Sequence, residues 1–141
     1  MRQSLIAGVV LFGLFAASAS AAQDALAALQ GRWVVTGAEH NGKPMDVLKG
    51  GVLTITRDAF EIRTASGNIL RGTLRVDAAA RPASMDMVHA DGTRWEAVYS
   101  LEGSVLKLNY VEAGGTDPRP KGFTTSAANE ESLIVLQRQD R

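Results

Sequence analysis

From residue 31 to residue 138 the chain is a succession of short runs rich in Val, Ile, Thr, Leu, Phe and Tyr, each closed by Gly, Asn, Asp or Pro. This rhythm constrains the fold more than any other feature. Short β-branched and aromatic runs between turn residues are what strands require, and they leave no room for long helices. The spacing predicts strands over 32–39, 52–57, 59–64, 69–76, 83–89, 94–101, 105–111 and 132–138, with a further short strand near 123–126. Asn41-Gly42, Arg57-Asp58, Ser66-Gly67-Asn68, Asp91-Gly92 and Glu102-Gly103-Ser104 supply turns. No strand is expected to follow Asn41-Gly42 at once, because 43–50 holds Pro44 and reads as a connection with a helical turn over 45–48.

Eight or nine strands joined mostly by tight turns form a meander. Closing it into a barrel removes the exposed edges. The expectation is an all-β fold: an eight- to nine-stranded antiparallel up-and-down barrel with a short N-terminal helix. The rival is an open sandwich. Gly114-Gly115-Thr116-Asp117-Pro118-Arg119-Pro120 is excluded as a central strand, since proline cannot donate to a ladder. It reads as a surface loop, with a mouth-gating or protein-contact role as the alternative.

Alternation assigns the faces. Phe60/Ile62, Leu70/Leu74/Val76, Met85/Met87, Trp95/Ala97/Tyr99/Leu101 and Leu106/Leu108/Tyr110 share the interior. Glu61, Arg71, Arg75, Asp86, Glu96 and Lys107 take the outer face. Residues 133–136 do not alternate and are expected to be covered on both sides, with the N-terminal helix as the candidate cover.

The N-terminus reads as an export leader. Arg2 precedes an apolar run over 5–17, and small residues follow it at Ser18-Ala19-Ser20-Ala21-Ala22. The run would span about 20 Å as a helix, short of the roughly 30 Å apolar core of a membrane. Residues 1–22 are therefore expected to be removed, by a cut after Ala21 or Ala22, leaving 23–141 as one domain outside the cytoplasm, periplasmic or secreted, with no transmembrane segment. In that domain 24–30 predicts a helix of about two turns, with Asp24 as N-cap and Gly31 as stop.

Charge and composition narrow the function. The chain carries 15 basic and 15 acidic residues, and loss of the leader removes only Arg2. A near-neutral domain has no electrostatic footprint for nucleic acid. It contains no cysteine, which excludes thiolate chemistry, disulfides and a lipid-modified N-terminal Cys. The two histidines, His40 and His89, each neighbour a turn signal, and a metal site needs three or four converging ligands. No Gly-x-Ser-x-Gly elbow, phosphate loop or His-Glu-x-x-His helix is present. The expectation is a protein that is not an enzyme and holds neither metal nor cofactor.

Gly31-Arg32-Trp33 at the first strand resembles the Gly-x-Trp signature of lipocalins and avidins. The longer pattern is similar to a family of uncharacterised, exported, lipocalin-like bacterial domains common in planctomycetes. It runs through Glu39-His40-Asn41-Gly42-Lys43-Pro44, Gly50-Gly51-Val52-Leu53-Thr54-Ile55, Arg81-Pro82-Ala83-Ser84-Met85-Asp86-Met87, Val98-Tyr99-Ser100-Leu101-Glu102-Gly103-Ser104-Val105-Leu106-Lys107-Leu108, Pro118-Arg119-Pro120 and Leu133-Ile134-Val135-Leu136-Gln137-Arg138. The resemblance implies that Gly31, Trp33 and Arg138 close one end of the barrel, with the guanidinium of Arg138 lying across the Trp33 ring. Short loops and the missing disulfide depart from larger lipocalins and argue against a deep, lidded pocket.

Three functional readings follow. The first is a carrier of a small apolar ligand, with Met85, Met87, Trp95, Tyr99 and Tyr110 as candidate cavity residues. The second is a protein-interaction module, such as an inhibitor of an exported hydrolase, using the helix near 24–29 or the 114–120 loop. The third is a filled structural barrel without ligand. A barrel of eight strands has room for either one small ligand or a packed interior, so its size leaves the first and third open.

Overall fold

The computed structural model describes residues 13–139, with side chains from residue 20 onward. Most of the expected leader, 1–12, lies outside the described residues. Helix α1 spans Gly13–Ala28. It therefore begins well before the expected helix. Asp24 lies inside it and is not its N-cap, because the Ala-rich stretch over 16–22 propagates a helix without needing a cap there.

The strands are β1 (Gly31–His40), β2 (Lys43–Pro44), β3 (Val52–Thr56), β4 (Ala59–Arg63), β5 (Ile69–Asp77), β6 (Ser84–His89), β7 (Arg94–Glu102), β8 (Val105–Glu112) and β9 (Ser132–Arg138). All neighbouring pairs are antiparallel, in chain order from β3 to β9, and β1 pairs with both β3 and β9. Eight strands thus close into a barrel, and the two-residue β2 hangs on the far end of β1.

Three details differ from the sequence expectations. Asn41 (φ 52°) and Gly42 (φ 76°) form a tight turn that pairs His40 with Lys43, so a strand does follow at once. The helical turn is a 3-10 turn over Asp46–Leu48. Residues 123–126 form no strand. They belong to the long β8–β9 connection over 113–131, where the Gly122 carbonyl accepts from the Asn109 side chain and the Thr125 hydroxyl accepts from the Gly42 N–H, with no ladder formed.

Inward alternation fills the barrel. Leu29, Trp33, Leu53, Ile55, Phe60, Leu74, Met85, Met87, Ala97, Tyr99, Leu106, Leu108 and Leu136 form one buried cluster. Each large apolar side chain moved out of water there stabilises the fold by about 1.5–3 kcal/mol. A bulge between Val35 and Gly37 shifts the parity of β1, so Trp33 and Val35 are followed on the same face by Ala38 and His40. On the outer wall Glu61 bridges Arg71 (3.1 Å) and Arg63 (3.5 Å).

The barrel ends are unlike. At one end α1, the β3–β4 turn and the end of β9 converge. Trp33 is fully buried there, and its Nε1 donates to the Leu29 carbonyl at 3.0 Å. Gln30 clips the β3–β4 turn, its amide donating to the Arg57 carbonyl (2.8 Å) and accepting from the Arg57 N–H (2.6 Å). Leu29 lies in the core cluster and Leu26 packs against it, so the end of α1 plugs this opening; α1 packs near β5 and does not cover β9. Leu133 and Val135, the outward residues of β9, are half-buried and line a shallow groove beside β1 and Pro44.

Candidate functional site

The other end, where the β1–β3, β4–β5, β6–β7 and β8–β9 connections lie, carries an open cleft of about 590 Å3. His40 at the end of β1, Trp95 at the start of β7, Tyr110 to Glu112 at the end of β8 and Ser132 at the start of β9 line it, with Gly115, Thr116, Asp117 and Glu130 from the long loop. The cleft is half enclosed, with apolar surface predominating on its walls.

Aromatic rings build its floor. Trp95 and Tyr110 stack at 4.2 Å with 15° between their planes. Behind Trp95 the His89 ring packs edge-on at 4.3 Å, and His89 in turn meets Phe60 edge-on at 5.2 Å. Gly72 makes this row fit. A Cβ there would lie 2.7 Å from the Phe60 ring and collide with the Val88 carbonyl, so only glycine lets Phe60 cross β5 to reach His89.

Polar groups rim the cleft. Ser132 lies across from both Tyr110 and His40 in the ladder, and its Oγ is 2.8 Å from His40 Nδ1. His40 Nε2 is 3.4 Å from the Glu130 carboxylate, which is largely exposed. Asp117 accepts from the Glu130 N–H at 2.6 Å. Burial pushes the Tyr110 phenol above its ordinary range, partly offset by a hydrogen bond to Ser132 and reinforced by the Glu112 charge. Burial likewise lowers the His89 imidazole, against the opposing pull of Asp91 and Glu112. His89 is 6 % exposed, and its Nε2 has no partner among the described residues.

The long loop is anchored, not free. Arg119 reaches across the outer wall to donate to the carbonyls of Ala97 (2.8 Å) and Met85 (3.2 Å) and to Asp86 (2.5 Å), with Glu96 at 3.9 Å. Asp86 and Glu96 face each other directly in the β6–β7 ladder, an arrangement of like charges that repels unless a cation sits between them. Asn109, fully buried on the outer face of β8, donates to the Gly122 carbonyl and to Glu131. These anchors hold 115–117 at the cleft.

All five candidate cavity residues point inward, but the structure divides them. Trp95 and Tyr110 line the cleft. Met85 and Met87, each 1 % exposed, and Tyr99 lie in the packed core below it. Gly31, Trp33 and Arg138 lie together at the opposite end, with Gly31 at φ 115° and the Arg138 guanidinium 4.2 Å from the Trp33 ring centroid. His40, Ser132, Glu112 and Glu130 were not singled out for the cleft, and Asp117 only as part of the 114–120 loop with its alternative mouth-gating role. Alternation along β8 reaches Glu112 from Tyr110, whereas Glu130 carries no local signal.

Among the described residues no three His, Asp or Glu side chains are placed to hold a metal ion. No helix among them is long and apolar enough to cross a membrane. The chain is a closed antiparallel β-barrel with an aromatic-floored cleft at one mouth. No protein-family description and no curated protein matches it. It is similar to a de novo designed fluorescence-activating β-barrel, at 16 % identity and a TM-score of 0.48, over 82 % of this chain and 98 % of that one.

Proposed function

We propose that this protein is an exported, lipocalin-like binding protein that holds a small molecule at the open end of its barrel, and that it is not an enzyme. The observation that carries the reading is the cleft of about 590 Å3 whose floor is the Trp95–Tyr110 stack. That volume falls in the range of small-molecule sites, and stacked rings offer a flat apolar surface to a ligand. The ligand rests on the packed core and does not enter it, because Met85, Met87 and Tyr99 fill the space beneath.

Export rests on the leader-like N-terminus. Removal of residues 1–22 would shorten α1 to its last turn and a half, about six residues. Ala28, Leu29 and Gln30, which make the contacts that seal the closed end, would all remain.

The test is native mass spectrometry of protein purified from its own source. A retained mass that disappears in Trp95→Ala supports the reading. A bare polypeptide mass, together with no small-molecule density at the cleft in a crystal of that material, overturns it. N-terminal sequencing of the same material should begin at Ala22 or Gln23.

A further inference from the structure

We infer that the cleft takes a small organic cation with a flat or apolar body, such as a protonated arylalkylamine. The inference rests on the binding role proposed above and names its ligand class. Three carboxylates, Glu112, Asp117 and Glu130, line the cleft, and no lysine or arginine is among its lining residues. The arginines on neighbouring strands and loop are engaged on the outer wall, Arg94 with Glu96 at 3.6 Å and Arg119 with Asp86 and Glu96.

The carboxylates are set beside the rings. Glu112 is directly opposite Trp95 in the β7–β8 ladder, so charge and indole lie side by side on the inner face. Tyr110 covers one side of that indole and His89 packs behind it, so a cation in the cleft meets the Tyr110 side of the stack with the Glu112 carboxylate close by. The half-enclosed wall of low polarity strengthens both attractions over those at an open surface. An anion of the same shape would meet three like charges. A neutral ligand would cover carboxylates without replacing the water they lose. Glu112 makes no ion pair among the described residues, which leaves its charge for a ligand. The stacked rings select a flat body, and the rim selects its charge.

Three probes of one shape test this at neutral pH and low salt: phenethylammonium, 2-phenylethanol and 3-phenylpropanoate. Binding is read from the indole N–H resonance of Trp95, with that of Trp33, which is bonded to Leu29 at the closed end, as internal control. Phenethylammonium should bind roughly tenfold tighter than the alcohol, and the propanoate most weakly. Glu112→Gln should remove most of the cation's advantage over the alcohol; Glu130→Gln serves if that variant does not fold. Equal binding of alcohol and cation, or preference for the propanoate, overturns the ligand class while leaving a small-molecule cleft in place. No shift at Trp95 with any probe at millimolar concentration overturns the class and the cleft reading together.

Discussion

The Arg138 guanidinium lies 4.2 Å from the centroid of the Trp33 ring, although the two residues sit at opposite ends of the barrel sequence. They are ladder partners on β9 and β1, so the contact exists only when the sheet closes on itself. The same guanidinium donates to the carbonyls of Gln30 and Ala28, each at 2.7 Å, and so caps the last turn of α1 with a positive charge. A single side chain thereby ties strand closure to the helical plug.

Truncating it should therefore affect stability and not binding. Arg138→Ala loses a cation–π contact of about 1 kcal/mol and two charge-assisted hydrogen bonds, and should cost about 2–3 kcal/mol in all. That corresponds to a fall in thermal midpoint of roughly 5–10 °C. Circular dichroism melts check it, and a midpoint equal to the parent's refutes it. Affinity at the distant cleft should not change.

Gly72→Ala should be more damaging than a surface glycine change. The added methyl meets the Phe60 ring at 2.7 Å and collides with backbone at Val88, which cannot swing aside as a flexible side chain could. A loss of about 3 kcal/mol is expected in urea unfolding, with the aromatic row around His89 displaced. Gly67→Ala, by contrast, adds a methyl to open space, though at φ 95° it is strained by its backbone alone.

The barrel was legible because its signals are local. Period-two alternation and turn dipeptides specify strands, faces and neighbours within about ten residues of each other. The cleft was not legible, because its far wall depends on Arg119 meeting Asp86, Ala97 and Met85, contacts that only the folded barrel brings together. His89 was placed at the end of a strand beside the Asp91-Gly92 turn, which explained its surroundings without chemistry. Yet 89 continues the inward series of 85 and 87, and that alternation was the available clue. His40 was hidden for a different reason: alternation from Trp33 and Val35 would place it outside, and the bulge after Val35 reverses that parity and brings it inside.

Buried His89 makes stability depend on pH. Its folded-state pKa lies below the ordinary value of 6.5, chiefly because burial disfavours the imidazolium. The unfolded chain therefore binds more protons over the window just below 6.5, and stability falls as pH drops through it. The slope from this group cannot exceed about 1.4 kcal/mol per pH unit. Urea titrations between pH 7.5 and pH 5 should show the loss in the parent. His89→Phe keeps an aromatic ring against Phe60 and Trp95 and should flatten that part of the profile; an unchanged slope would falsify the assignment.

Arg119→Ala leaves Asp86 and Glu96 facing each other with no cation between them and removes three hydrogen bonds that pin the long loop. A destabilisation of about 2 kcal/mol is expected, from lost charge-assisted bonds and the exposed repulsion. More telling is where the chain opens. Limited proteolysis should cut within 113–131 faster in the variant, while the strands stay protected. Cleavage spread evenly along the chain would mean that Arg119 supports the barrel as a whole and not the loop.

Whether a ligand occupies the mouth or the barrel interior is settled by comparing two residues that alternate inward on adjacent strands. Met87 and Trp95 are direct ladder partners, yet Met87 is buried in the core and Trp95 forms the cleft floor. Met87→Leu conserves volume and apolarity, so it should cost less than about 1.5 kcal/mol and leave phenethylammonium binding unchanged. Trp95→Ala removes the indole from the stack and should weaken the same probe by roughly tenfold or more, since one face of the site goes with it. Because Trp95 also packs on His89, its loss will lower stability, so binding must be measured well below the variant's own melting range. The reverse pattern, with affinity lost in Met87→Leu and kept in Trp95→Ala, would move the ligand into the barrel's centre and require the core to open around it.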